Sequence, residues 1–121
     1  MRKPEIIKHK GKEILYLNFS NLKKKEQIIE LKDLSGDLIQ QQDVNSTLAL
    51  INMEGMFFDY EIRSHFIQVA KKNTLHIKAS AIIGLYGLLS VLYNGFIKIT
   101  GRNIKQFKTK KEALDYLASF T

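Results

Sequence analysis

The chain has 121 residues, with 19 lysines and arginines against 12 aspartates and glutamates, a formal net charge of +7. That length is one domain's worth, and 45% hydrophobic with 26% charged residues is an ordinary globular balance, which disfavours disorder, collagen-like repeats and a membrane bundle. The absence of cysteine excludes disulfide frameworks, thiolate metal sites and cysteine nucleophiles.

With one proline, Pro4, and no Gly/Ser-rich tract, the chain reads as a single domain over residues 1–121. Residues 4–9 and 13–19 form two predicted strands around a turn at Lys10-Gly11-Lys12, making a hairpin. The second strand, Ile14 to Phe19, is apolar on both faces, which suits the inside of a sheet. Ser20 or Asn21 is placed to cap a helix running to about Gln42, with Ile28, Leu31, Leu34, Leu38 and Ile39 at helical spacing and Gly36 weakening its middle.

Thr47 to Asn52 is the next strand, and Asp59 is the expected N-cap of a helix carrying Ile62, Phe66, Val69 and Ala70, with Asn73 as its stop. Ile77 to Ile83 is a fourth strand. Leu85, Leu88, Leu89, Leu92, Phe96 and Ile99 then make a helical stripe that ends at Thr100-Gly101. A short strand over Ile104–Phe107 precedes Thr109 and Glu112, a capping box before Ala113, Leu114, Leu117 and Phe120. Polar residues and glycines interrupt Ala79 to Ile99, so it is a strand and a helix and not a membrane span. The N-terminus lacks the apolar core of a secretory signal, which makes the cytoplasm the expected location.

The order β-β-α-β-α-β-α-β-α demands parallel neighbours joined by right-handed crossovers, with the first strand added antiparallel. An α/β domain of two or three layers with a mixed five-stranded sheet follows. His9, His65 and His76 share no metal-ligand spacing and read as ordinary histidines. There is no nucleophile elbow and no Walker loop. Gly84-Leu85-Tyr86-Gly87 is short of a dinucleotide motif and reads as glycines that let a helix turn tightly off a strand. The phospho-accepting carboxylates of a receiver domain are also missing, because the relevant strands end in Asn18-Phe19-Ser20 and Asn52-Met53-Glu54. No catalytic residue, cofactor or metal site is expected.

Cations gather at Lys98, Arg102, Lys105, Lys108, Lys110 and Lys111, and at Arg2, Lys3, Lys8, Lys10 and Lys12. They fall on the first and last strands, where lysines discourage edge-to-edge aggregation, and no recognition pattern for nucleic acid accompanies them. Lys23, Lys24 and Lys25 oppose the dipole of the first helix, so an acidic partner or plain solvation are both open. Met56, Phe57 and Phe58 sit between a strand and a helix at the carboxyl end of a parallel sheet, the usual binding end of such folds. So short a loop leaves some of that apolar surface for a partner, unless it packs beneath the first helix.

Gly11 to Ser20, Lys78 to Leu85 with Gly87-Leu88-Leu89, and Phe107-Lys108-Thr109 with Glu112-Ala113 and Tyr116-Leu117 resemble the STAS/SEC14-like, SpoIIAA-like bacterial proteins over nearly the whole chain. The resemblance implies a β-α superhelix on a mixed sheet, no cofactor, and regulation through protein contacts. In the phosphorylatable anti-sigma-factor antagonists a serine or threonine starts the helix after the third strand. Here that stretch reads Phe58-Asp59-Tyr60-Glu61, so control by phosphorylation is not expected. Asp59 either supplies a fixed charge there or serves as a plain N-cap.

The expected function is a non-enzymatic interaction module. Its expected surface is Met56, Phe57, Phe58, Asp59, Tyr60, Leu85 and Tyr86, docking a protein partner or a second copy in a homodimer. The alternative is a lipid-like apolar ligand of the SEC14 type, walled by the leucines of the third helix.

Overall fold

A computed structural model describes residues 2–87, 90–91, 93–95 and 104–120. Strands β1 (Glu5–His9), β2 (Lys12–Asn18), β3 (Thr47–Asn52), β4 (Ile77–Ile83) and β5 (Ile104–Phe107) form one sheet in the order β1-β2-β3-β4-β5. The β1–β2 pair is antiparallel and every other pair is parallel. Helices α1 (Lys25–Gln40) and α2 (Tyr60–Asn73) follow β2 and β3, and α3 (Lys110–Ala118) follows β5. Residues 87, 90–91 and 93–95, after β4, are helical as well. The predicted stripe residues Leu88, Leu89, Leu92, Phe96 and Ile99, the stop at Thr100-Gly101, and the cations Lys98 and Arg102 lie outside the described residues.

Parallel strands laid down in sequence order with right-handed crossovers put every crossover helix on one face of the sheet. That face holds Leu15, Leu17, Ile51 and Ile82 against Ile28, Leu31 and Ile39 of α1, Ile62, Phe66 and Ala70 of α2, and Tyr93. The other face would lie bare. Ile14, Tyr16, Leu48, Leu50, Ala79 and Ala81 point there, and α3 covers them with Ala113, Leu114 and Leu117. Three layers result, and β2 and β3 read apolar on both faces because both are covered.

Gly36, expected only to weaken α1, lies where α1 meets α2: a Cβ there would stand 2.7 Å from Val69 Cγ1. The helix gives up propensity in exchange for close approach. The expected cap at Ser20 or Asn21 is corrected. α1 starts at Lys25 behind Lys24, whose side chain makes no capping hydrogen bond. Residues 20–22 are occupied elsewhere: Ser20 N–H donates to Asn18 Oδ1 at 3.0 Å, Asn21 N–H to the Glu54 carbonyl at 2.7 Å, and Leu22 N–H to the Phe19 carbonyl at 3.2 Å. Asn21 takes a φ of 60°, outside the helical region.

Candidate functional site at the carboxyl end of the sheet

β2, β3 and β4 deliver three loops side by side at the carboxyl ends of the parallel strands. Two asparagines organise the first two. Asn18 Oδ1 accepts the Ser20 N–H and Asn52 Oδ1 accepts the Glu54 N–H, each at 3.0 Å, so both strands turn off the sheet through the same side-chain-to-backbone bond. Asn52 also donates from Nδ2 to the Tyr16 hydroxyl at 3.0 Å. Two equivalent asparagines at successive strand ends were a readable signal of this turn, one the strand assignments did not use.

The loops are then stitched to one another. Phe19 N–H donates to the Asn52 carbonyl at 2.8 Å, Met53 N–H to the Ile83 carbonyl at 2.9 Å, and Phe57 N–H to the Leu22 carbonyl at 2.9 Å. Gly84 has a φ of +85°, and a Cβ there would meet Glu54 Cα at 2.6 Å. Only glycine lets the third loop lie this close to the second, the packing role expected for it over an anion-binding one. Arg2 reaches in from the N-terminus, donating from Nη1 to the carbonyls of Asn18 at 3.0 Å and Ser20 at 2.5 Å.

Asp59 caps α2, its Oδ1 accepting the Ile62 N–H at 2.8 Å. Its Oδ2 lies 2.7 Å from Lys25 Nζ, which also contacts Glu61 Oε2 at 2.6 Å. The Ile62 N–H, and after it the Lys25 ammonium, hold the Asp59 carboxyl below the usual carboxylate range. Asp59 and then Glu61 hold the Lys25 ammonium well above its usual range. Lys23 Nζ donates to the Gly55 carbonyl. Two of the three lysines left open as attractors of an acidic partner are thus engaged within the chain, Lys25 by the acids Asp59 and Glu61 and Lys23 by a backbone carbonyl.

The apolar residues expected at this surface divide. Met56 is buried and belongs to the core, and Phe58 is half-buried with its ring 6.2 Å from that of Phe66. Leu85 packs partly against the same core. Phe57, Tyr60 and Tyr86 face solvent, at 42%, 72% and 63% exposure. The surface is therefore narrower than expected: Met56 shapes the loop from beneath and adds no contact area.

The three histidines each have a partner. His9 Nε2 contacts Asp115 Oδ1 at 2.6 Å, His65 Nε2 contacts Asp33 Oδ1 at 2.7 Å, and His76 Nδ1 donates to the Gln42 carbonyl at 2.8 Å. Among the described residues no three His, Asp or Glu side chains converge so as to hold a metal ion. No helix of the described residues is long and apolar enough to cross a membrane.

No family model matches the chain, and no curated protein matches it either. Solved structures do. An uncharacterised DUF3478-family protein from Shewanella loihica PV-4, described as having a SpoIIAA-like fold, superposes with a TM-score of 0.72 at 20% identity, over 94% of this chain and 91% of that one. The fold is SpoIIAA-like. An anti-sigma-factor antagonist (STAS) domain protein from Planctomyces limnophilus superposes with a TM-score of 0.64 at 15% identity, over 98% of this chain and all of that one. The SpoIIAA-like sheet with its helices is thus the architecture that the sequence resemblance implied.

Proposed function

We propose that this chain is a non-enzymatic regulatory module of the cytoplasm that docks a protein partner at the carboxyl end of its sheet. The observation that carries the reading is the exposure of Phe57 on the loop after β3, Tyr60 at the start of α2 and Tyr86 on the loop after β4, with the Phe57 N–H bonded to the Leu22 carbonyl. Exposed rings on a rigid rim bring large contact area with little ordering cost, the usual make-up of a binding hot spot. The likeness to a STAS domain protein described as an anti-sigma-factor antagonist supports a regulatory role of the same kind. In this reading Asp59 is held by Lys25 and the Ile62 N–H, so the start of α2 offers the partner a constant surface.

The apolar-ligand alternative has less behind it. A cleft of about 500 Å³ is bordered by Arg2, Gln27 and Glu30 as well as Leu22 and Leu31, a mixed lining for a lipid tail. The test is affinity capture from the native cell. The triple variant Phe57→Ser, Tyr60→Ser, Tyr86→Ser is expected to lose the partner that the wild type retains while keeping its circular dichroism spectrum. Retention of the same partner by the folded variant overturns the proposal.

A further inference from the structure

The two edges of the sheet are β1 and β5. β1 turns into β2 through a two-residue loop with Lys10 at φ 50° and Gly11 at φ 80°, the signature of a type I′ hairpin, and His9 faces Lys12 across it. In such a hairpin the closing pair is hydrogen-bonded and bonded pairs alternate from there. Glu5, Ile7 and His9 therefore spend their backbone groups on β2, and the N–H and C=O of Ile6 and Lys8 point away from the sheet. Ile6 is 57% exposed at this open edge.

Charge is unevenly shared along β1. At one end a single carboxylate, Asp115, serves three basic groups: His9 at 2.6 Å, Lys10 at 3.1 Å and Lys111 at 2.8 Å. At the other end Glu5 is exposed and forms no ion pair among the described residues. Glu5, Ile7 and His9 alternate onto the α3 side of the sheet, where Ile7 packs with that core and His9 meets Asp115.

We infer that β1 is a self-complementary edge that pairs antiparallel with β1 of a second copy about a two-fold axis at Ile7. In this register Glu5 faces the second copy's His9, Ile6 faces its Lys8, and Ile7 faces its Ile7. The five strand residues overlap completely and no like charges meet. Each Glu5 supplies the carboxylate that the other copy's His9, Lys10 and Lys111 cluster lacks. A two-fold axis normal to the sheet keeps each side chain on its own face, so the register shifts only in steps that preserve the axis at a residue. An axis at Lys8 sets Lys8 against Lys8, and an axis at Ile6 sets His9 against Lys3. Pro4, with no N–H to offer, ends the ladder beyond Glu5. The pairing closes as a dimer.

Sedimentation equilibrium of the full chain tests this. The wild type is expected at twice the mass of one chain in the micromolar range. Lys8→Pro removes only an outward N–H and is expected to be a folded monomer. Glu5→Lys sets like charges opposite one another twice and is expected to weaken the dimer about tenfold. The Phe57→Ser, Tyr60→Ser variant is expected to remain dimeric, which separates this edge from the aromatic rim. A monomeric wild type overturns the inference. So does a folded Lys8→Pro variant that still dimerises, an unweakened Glu5→Lys dimer, assembly beyond the dimer, or loss of the dimer in the rim variant.

Discussion

Asp59 and Asp115 do similar work at two different parts of the molecule, and the difference lies in what holds them. Asp59 joins the start of α1, at Lys25, to the start of α2, and its first partner is a backbone N–H, that of Ile62. Asp115 joins the β1–β2 turn to α3, and its partners are side chains, Lys111 first, then His9 and Lys10. One junction is built into the chain path and the other is an electrostatic latch between side chains, a half-buried carboxylate and imidazole with two exposed lysines. A rim for binding needs the first kind of support, because a partner's contacts gain from a surface that is already ordered.

The largest expected effect tests the core that supports the rim. Phe66 is buried between Phe19, at 5.4 Å between ring centroids, and Phe58. Phe66→Ala should cost about 3–5 kcal/mol in urea unfolding, a cavity penalty that a loosely supported rim would not show. Gly84→Ala comes next, at about 2 kcal/mol or more, since it combines a strained φ of +85° with collision against Glu54. If Gly84→Ala is neutral, the loops after β3 and β4 do not touch as described.

Asp59→Ala should cost about 1 kcal/mol through loss of the cap. The pH dependence sharpens the contrast. Both carboxyls titrate below their ordinary value of 3.8 in the folded chain, so the stability they contribute is complete above that value and is lost as pH falls through the folded-state values. Asp59→Asn and Asp115→Asn should each shallow the acid side of a melting-temperature profile. Added salt should erase the Asp115 effect and leave much of the Asp59 effect, because side-chain ion pairs at the surface are screened and a cap bond is not. Equal salt sensitivity of the two would dissolve the distinction. The smallest effect is expected at the rim itself. Tyr60→Ser should change stability by no more than about 0.5 kcal/mol while weakening partner capture.

Much of this was legible in the residues. Asp59 caps α2 as expected, and Thr109 accepts the Glu112 N–H at 3.2 Å, although the Glu112 carboxylate turns to the Thr109 hydroxyl at 2.9 Å rather than to the backbone of the full box. Such caps span three residues, so local sequence suffices to specify them. The start of α1 was not legible, because the N–H groups of Ser20 to Leu22 are taken up by the turn off β2 and by the Glu54 carbonyl, which is remote in sequence. Lys25 was read as open to an acidic partner, and that its acids are Asp59 and Glu61 was not legible for the same reason: they arrive only when β3 lies beside β2.

The alternation of strands and helices, the double-sided apolar strands and the caps of α2 and α3 were set by the sequence alone, since each depends on neighbours within a turn or on the two-residue period of a strand. Which of Met56, Phe57 and Phe58 turns inward was decided by the tertiary structure. There the Phe57 N–H bond to Leu22 fixes the loop, and Phe66 offers Phe58 a face to pack on. The third layer was decided there too. Nothing near residues 110–118 indicates which face of the sheet lies bare, and only the strand order and the shared hand of its crossovers leave that face for α3 to cover.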